Sequence, residues 1–321
     1  MTIGPLSVRP GRGPVSAPTA VPVSVPAAAA RRRKWRNRGA VLFFLAPSAV
    51  PLLLFTFAPM VSSLWISLHS WDLISPMRWV GFANYTHLLG DGDTRVAFAH
   101  TVYFIAGYLP LVYVGGLVLA LALNRRMRGR SVLRSVYFLP VITSWVMVSL
   151  TWKWILSPDG GLLNRVLGGV GLPTPDWWAS PTWALPSVIL ASAWKDLGFV
   201  MVILLAGLQA IPQELYEAAT IDGANAWQRF RRITLPLLSP STYFVVLISL
   251  INGFQVFDQV FVMTGGGPAG SSRTVVEEVY DLSFRYGQVG SGSALSWLLF
   301  AVMMAVTAVM TRVQRRWVTH A

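Results

Sequence analysis

Residues 211–236 read IPQELYEAATIDGANAWQRFRRITLP and separate two long apolar segments of the chain. Pro212 suits the first turn of a helix, and Glu214 favours the positive end of its dipole. Gly223 permits a sharp turn after about three turns of helix. A second short helix could then run over residues 224–232, with three arginines near its negative end, before Pro236 stops it. The stretch therefore predicts two short helices joined by a turn; a connector lying on lipid headgroups fits it equally well.

The composition of the whole chain indicates a membrane protein. Of its 321 residues, 54% are hydrophobic and 12% are charged, whereas soluble domains carry roughly 25% charged residues. Cysteine is absent, which excludes thiolate chemistry, and no lysine follows a glycine, which excludes a Gly-Lys-Ser/Thr phosphate loop. The histidines show no metal-ligand spacing. We therefore expect no catalysis, metal or cofactor in this chain, and any ATP-driven work must come from a partner.

Six apolar segments are long enough to cross a membrane, which takes about 20 helical residues. They cover approximately residues 40–70, 96–123, 131–156, 183–211, 239–263 and 293–311. The fourth is less secure because it carries Lys195 and Asp196 in its middle. The chain is thus predicted to be an all-α membrane protein, with a transmembrane domain over residues 39–321. Residues 1–38 are rich in proline and basic residues, and we expect a disordered cytoplasmic tail there.

The distribution of basic residues predicts the orientation of these spans. The net charge is +13, and nineteen of the 26 lysines and arginines fall in the tails and loops on one side, against five on the other. Basic residues accumulate on the cytoplasmic side of membrane proteins. Both termini should therefore be cytoplasmic. This topological explanation of the positive charge is favoured over nucleic-acid binding.

Polar residues recur at helical spacing inside two of the spans. In the fourth span, the spacing i, i+3, i+4 and i+7 gives Ser192, Lys195, Asp196 and Phe199. In the fifth span, the same spacing gives Ser249, Asn252, Gly253 and Val256, with Gln255 beside them. Polar groups inside a membrane are costly, and they mark a pathway or its structural support. The alternative is that these groups tie helices together, with Lys195 and Asp196 paired elsewhere.

Residues 217–236 resemble the EAA motif of the permease subunits of binding-protein-dependent ABC importers. Glu217-Ala218-Ala219 is followed after three residues by Gly223, and later by Ile233 and Leu235-Pro236. Further stretches are similar to the sugar-importer branch of the maltose and glycerol-3-phosphate type. These are residues 81–85 (GFANY), 139–142 (LPVI) with Trp152, 161–164 (GLLN), 210–212 (AIP) and 264–268 (TGGGP). The resemblance covers the chain from about residue 40 to its end.

The resemblance implies a type I ABC importer permease fold with both termini in the cytoplasm. It implies a multi-pass protein of the bacterial cytoplasmic (inner) membrane, which works with a second homologous permease, two ATPase subunits that hold ATP and Mg, and an extracytoplasmic solute-binding protein or lipoprotein. The loop at about residues 212–236 would dock in an ATPase cleft as a coupling helix. The implied contacts are Glu217, Ala218, Ala219, Asp222 and Gly223.

The resemblance also implies that the two polar sets line the path of a carbohydrate-like substrate, such as an oligosaccharide or a glycerophosphodiester. Translocation would occur by alternating access. Lys195 could favour a phosphate-bearing substrate or, if a neighbouring carboxylate neutralised it, could serve a neutral sugar. The alternative function is an ion-coupled secondary transporter, in which Lys195, Asp196 and Asp258 would be the coupling charges.

The glycine-rich residues 264–272 are predicted to form a compact external turn near the dock of the binding protein. Glu277, Glu278, Asp281 and Arg285 follow it. They are candidates for contact with that partner, and a solvated loop is the alternative.

Overall fold

The structure is a computed structural model that describes residues 43–125 and 127–317, with side chains up to residue 314. The tail predicted over residues 1–38 lies outside the described residues. The chain divides into two units, one ending at Met60 and the other beginning at Val61. The site described below lies entirely in the second unit.

The described residues are mainly helical. In chain order the helices are α1 (Phe43–Ser67), α2 (Ala83–Gly90), α3 (Gly92–Asn124), α4 (Arg130–Ile142), α5 (Trp145–Ile155), α6 (Leu162–Gly169), α7 (Ala184–Ala210), α8 (Gln213–Ile221), α9 (Ala226–Leu237), α10 (Ser239–Phe254), α11 (Asp258–Met263), α12 (Val275–Tyr280) and α13 (Val289–Trp317). An antiparallel hairpin of β1 (His69–Ser70) and β2 (Arg78–Trp79) follows α1, a 3₁₀ turn spans Trp177–Ala179, and a π-helical turn (Asp281–Arg285) continues α12.

Among the described residues, four helices are long and apolar enough to cross a membrane on their own: α1, α3, α7 and α13. Two bent pairs also pass the same test: α4 with α5, bent by 101°, and α9 with α10, bent by 64°. If each bent pair is one span, the count is the predicted six. The protein is therefore an all-α, multi-pass membrane protein.

The buried core forms where α3 packs against α7, with residues of α10 and α11 joining it, and α4 packs on α7 beside this core. A Cβ on Gly116 of α3 would lie 2.9 Å from Cβ of Val200 and 3.2 Å from the backbone nitrogen of Met201. A Cβ on Gly198 of α7 would overlap the backbone carbonyl of Tyr137 in α4. Small residues allow such close approach of helices in membranes. α7 is therefore packed closely against both neighbours.

The third span is broken, although one continuous helix was expected over residues 131–156. Thr143 and Ser144 are extended, with ψ of 143° and 140°, and α5 starts afresh at Trp145. The break frees backbone carbonyls at the end of α4, and such groups are costly inside a membrane unless they find a donor. Lys195 supplies one, because its Nζ donates to the carbonyl of Val141 at 3.0 Å.

The fifth span is also interrupted, and the prediction of one helix over residues 239–263 is wrong. α10 ends at Phe254, and α11 begins only at Asp258. The interruption leaves the carbonyl of Val256 without a helical partner, and the Thr274 hydroxyl donates to it at 3.0 Å. A hydrogen bond from a residue 18 positions away thus stabilises the break.

The two short helices of the loop occur as predicted, with different bounds for the second. It begins at Ala226 rather than residue 224, because Asn225 caps it and exchanges two hydrogen bonds with Gln228 in a capping box. It ends at Leu237, one residue beyond Pro236, where it was expected to stop. Residues 230–234 form a π-helical turn before this proline. The wider turn accommodates a proline that would clash with an ordinary helix.

Two of the stretches that carry the resemblance hold chain segments together. Asn84 donates to the carbonyls of Ser67 and His69 at 2.8 and 2.9 Å, which fixes α2 against the hairpin. Asn164 donates to the carbonyl of Pro175 at 3.1 Å and accepts from the indole of Trp177 at 2.7 Å. The hydrogen bonds of these two asparagines therefore hold neighbouring segments of the chain together.

Candidate functional site

A cavity of about 200 Å³ lies between α3, α7, the start of α5 and the junction of α10 with α11. Its lining residues are Phe104, Tyr108, Trp145, Asp196, Asn252, Gln255, Val256, Phe257, Asp258 and Gln259. Asp196 is near the middle of α7. The cavity is therefore at mid-depth of a helix that is long enough to span a membrane.

Both interrupted spans contribute to this cavity. Trp145 is the first residue after the break in the third span, and residues 255–259 include the break in the fifth. Non-helical backbone at membrane depth is tolerated where it is buried in protein or lines a water-filled cavity. Discontinuous helices commonly form substrate sites in transporters for the same reason. The breaks thus mark this cavity as the candidate path.

Asp196 is held by a residue of another helix. The Tyr108 hydroxyl of α3 donates to its Oδ2 at 2.7 Å, and the Tyr108 ring stacks on Phe104 with centroids 5.4 Å apart. On the other side of the cavity, Gln259 is buried and donates through Nε2 to the Ser192 hydroxyl at 3.3 Å. Hydrogen bonds between helices therefore fix the wall of the cavity.

Lys195 does not line the cavity, although it neighbours Asp196 in the sequence. Besides its bond to Val141, its Nζ lies 4.6 Å from the centre of the Trp145 ring, a cation–π distance. The residue is only 4% exposed. Lys195 thus links α7 to the end of α4 and the start of α5, in agreement with the structural alternative raised for it from the sequence.

The structure brings four of the nine predicted path residues to the cavity wall: Asp196, Asn252, Gln255 and Val256. The other five, which do not line it, are Ser192, Lys195, Phe199, Ser249 and Gly253. Gly253 packs against α3, since an added Cβ would lie 2.8 Å from the Ile105 side chain. Ser192 and Ser249 are buried between helices, and Phe199 packs against the core.

None of the four aromatic residues of the cavity wall is predicted from the sequence. Phe104, Tyr108, Trp145 and Phe257 stand in apolar surroundings where an aromatic residue carries no distinguishing pattern. Asp258 is predicted from the sequence only as a coupling charge. Gln259 lies seven residues after Asn252, so helical spacing continued past Val256 could have found it.

The predicted coupling residues surround an exposed turn. Gly223 has φ of +78°, and nothing lies within 4 Å of a Cβ built on it. Its N–H donates to the Thr220 carbonyl at 3.1 Å, and the N–H of Ala224 donates to the Ala219 carbonyl at 2.9 Å. This pair of bonds is a Schellman motif, in which the residue with positive φ is usually glycine. Glu217, Ala218 and Asp222 are exposed, and Ala219 is half-buried.

The helices on both sides of this turn are tied to each other. The Tyr216 and Thr234 hydroxyls are 3.0 Å apart, and Arg229 donates to the Thr220 hydroxyl at 2.7 Å. Apolar side chains nevertheless face outward, with Ile221 87% exposed and Trp227 65% exposed. A braced element with exposed apolar residues is suited to contact another surface.

The acidic residues after the glycine-rich segment are buried, so the solvated-loop alternative is wrong for Glu277, Glu278 and Asp281. Arg273 pairs with Glu278 at 3.2 Å, and Arg285 pairs with Asp281 at 2.9 Å. Glu277 is fully buried, and its carboxyl oxygens have no hydrogen-bond partner among the described residues. Burial, and then the nearby Asp281 carboxylate, raises the pKa of Glu277 to about 8.

Within the part of the chain that the structure describes, no group of three or more histidine, aspartate or glutamate side chains is placed to hold a metal ion.

Comparison with known proteins identifies relatives over most of the chain. A family model described as "Binding-protein-dependent transport system inner membrane component" matches residues 112–319. The chain is 35% identical over 283 residues to the trehalose/maltose transport system permease protein MalF of Thermococcus litoralis, covering 88% of this chain and 96% of the relative. It is 34% identical over 290 residues to the sulfoquinovosyl glycerol transport system permease protein SmoG of Agrobacterium fabrum, covering 89% and 94%.

The fold is also found in a solved structure. A chain in the crystal structure of a bacterial alginate ABC transporter, in complex with alginate pentasaccharide-bound periplasmic protein, superposes with a TM-score of 0.78 at 23% identity. The match covers 88% of this chain and 96% of that chain. The described helices therefore have the architecture of an ABC importer permease.

Proposed function

Because this chain belongs to the family of binding-protein-dependent transport system inner membrane components and is a permease subunit of an ABC importer, we propose that it forms one part of the pathway by which a sugar enters a bacterial cell. Membership of this family favours an ATP-driven importer over the alternative function, an ion-coupled secondary transporter. Sugars are proposed because the names of two relatives, at 35% and 34% identity, refer to sugars or sugar derivatives.

The observation that carries the proposed path is the convergence of two broken spans on one cavity. The cavity wall combines aromatic rings with a carboxylate and amides at mid-depth of α7. Aromatic faces can stack on the apolar face of a sugar ring, and amides can both donate to and accept from hydroxyls. This mixture suits a polyhydroxylated solute.

The proposed coupling element connects directly to the helices that line the path. α7, which carries Asp196, leads through Ile211 and Pro212 into α8, and α9 continues into α10, which carries Asn252. ATP-driven movement of an ATPase subunit against residues 217–223 would therefore act on both helices. Rocking of these helices would open the cavity alternately to the two sides of the membrane.

The proposed assembly contains a second homologous permease, two ATPase subunits that hold ATP and Mg, and an extracytoplasmic solute-binding protein. The distribution of basic residues supports both termini and the coupling element on the cytoplasmic side of a bacterial inner membrane. ATP hydrolysis would belong to the separate ATPase subunits, since this chain has no lysine after a glycine.

The test is ATP hydrolysis by the co-purified complex in lipid nanodiscs, with and without its binding protein, over a panel of sugars. Stimulation by a sugar-loaded binding protein is the expected result. A matched pair of variants tests the coupling element, because Glu214 and Glu217 are both exposed on α8 but only Glu217 belongs to the motif. We expect Glu217→Lys to lose the ATPase during purification and Glu214→Lys to retain it. Transport by the chain alone down an ion gradient would overturn the proposal.

A further inference from the structure

We infer that the cavity selects against negatively charged solutes and favours neutral sugars or amino sugars over uronates, sulfonates and phosphates. The inference rests on the proposed function, because it concerns the solute that would pass through the same cavity. It follows from which charged side chains line the cavity and which do not.

Neither of the two lysines inside the predicted spans lines the cavity, and both have other partners. Lys195 Nζ donates to the Val141 carbonyl at 3.0 Å and lies over the Trp145 ring. Lys153 Nζ donates to the Val262 carbonyl at 3.2 Å and lies 4.9 Å from the centre of the Trp178 ring. Among the described residues that line the cavity, none is a lysine or an arginine. This chain therefore offers an anion no charge partner there.

The formal charges that do reach the wall are carboxylates. Asp196 lies at mid-depth of α7, and Asp258 opens α11 with an exposed side chain. Tyr108 satisfies one oxygen of Asp196 with a neutral donor, and the ammonium of the neighbouring Lys195 is held by Val141 and Trp145 rather than by this carboxylate. An anionic solute would meet like charge at a depth where water screens it poorly, whereas a protonated amine would meet opposite charge.

The remaining wall suits a neutral solute. Asn252 and Gln255 present exposed amides, each with donors and an acceptor for hydroxyl groups. Trp145 and Phe257 present aromatic surface beside them. A neutral sugar can use all of these groups without placing a charge in the membrane. The interior is therefore complementary to hydroxyls and to positive charge.

The charge preference can be measured without knowing the solute, because the chain contains no cysteine. Asn252 and Gln255 line the cavity and are exposed, so Asn252→Cys or, independently, Gln255→Cys places a single thiol there. The intact complex is treated with a cationic (trimethylammonioethyl) or an anionic (sulfonatoethyl) methanethiosulfonate. Labelling is read on this chain after the subunits are separated. The exposed Thr182→Cys, outside the cavity, supplies the reference rates.

The cationic reagent should react about tenfold faster than the anionic one at the cavity thiol, relative to the reference thiol, as expected where a cleft focuses one sign of charge. Asp196→Asn in the same background should bring this ratio towards one. Equal rates, or faster reaction of the anionic reagent, would overturn the inference. Because the whole complex is labelled, a cation contributed by the partner permease would also appear in the result.

ATP-dependent uptake of matched neutral, amino and uronate sugars by the reconstituted importer distinguishes failure of the charge preference from failure of the proposed function. Uptake of a neutral or amino sugar and not of its uronate supports the charge preference. Uptake of a uronate or sugar phosphate overturns the charge preference and leaves the importer function intact. If no sugar is taken up, the proposed function fails, and the labelling ratio still decides the charge of the cavity.

Discussion

Substitution of Gly223 tests whether the coupling turn depends on its backbone conformation. The residue has φ of +78°, and a Cβ would meet nothing within 4 Å, so an added side chain strains the backbone without a collision inside this chain. The left-handed region costs most residues about 1–2 kcal/mol, and asparagine tolerates it better. At about 1.4 kcal/mol for each factor of ten, an alanine should reduce the population of the formed turn by roughly 5- to 30-fold.

The assay is ATP-driven uptake by the reconstituted importer, with ATP hydrolysis measured in parallel. Gly223→Asn should retain most uptake, Gly223→Ala should retain less, and Gly223→Val should retain least. Gly171→Ala is the matched control. Gly171 has φ of +74° and equally open surroundings, but it follows α6, far along the chain from the motif. It should carry a similar strain without loss of uptake.

Two results would refute this reasoning. If asparagine and alanine abolish uptake equally, the turn is sensitive to side-chain size against a partner, and its φ angle is not the cause. If Gly171→Ala reduces uptake as strongly as Gly223→Ala, the effect is general loss of stability, and the coupling turn has no special role.

Two further predictions concern the packing of the spans and the buried acidic residues. Gly198→Ala should force α4 away from α7, because its Cβ would overlap the Tyr137 carbonyl. Overpacking typically costs about 1–3 kcal/mol of stability. The unfolding temperature of the complex and its rate of uptake should therefore both fall. Gly115→Ala, whose Cβ would meet only the flexible Leu197 side chain, should have a smaller effect, and equal effects would contradict the argument. Because the pKa of Glu277 is raised from 4.5 to about 8, its protonation contributes stability that is fully present below about pH 4.5 and is lost as the pH rises through about 8. Glu277→Gln should flatten the dependence of the unfolding temperature on pH between 5 and 8, and an unchanged slope would exclude Glu277 as its source.

The coupling element could be predicted in detail because its signals are local. Gly223 and the pair of Asn225 and Gln228 set the helix boundaries through hydrogen bonds within a few residues. The helix ends at Leu237, one residue beyond the expected stop at Pro236, but the π-helical turn over residues 230–234 was not predicted. Nothing in the local composition indicates such a turn.

The breaks in the spans could not be predicted, because distant residues stabilise them. Lys195 satisfies a carbonyl 54 positions earlier in the chain, and Thr274 satisfies one 18 positions earlier. An apolar segment with such a break has the same hydropathy as a continuous helix. Helical spacing also placed Lys195 and Asp196 on one face, but they contact different helices, since α7 has neighbours on several sides.

The contacts of α7 explain how movement of the proposed coupling element could change a cavity at mid-depth of that helix. α7 cannot slide freely past α4, because Gly198 abuts the backbone of Tyr137 and Lys195 holds the end of α4 about one turn away. A tilt of α7 must therefore carry the end of α4 with it, and Trp145, which begins the next helix and stacks under Lys195, follows. Asp196 of α7 and Trp145 of α5 both line the cavity. If α7 and the junction of α4 with α5 move together, movement of the coupling turn would change the walls of the cavity. No separate hinge beside the solute would be needed.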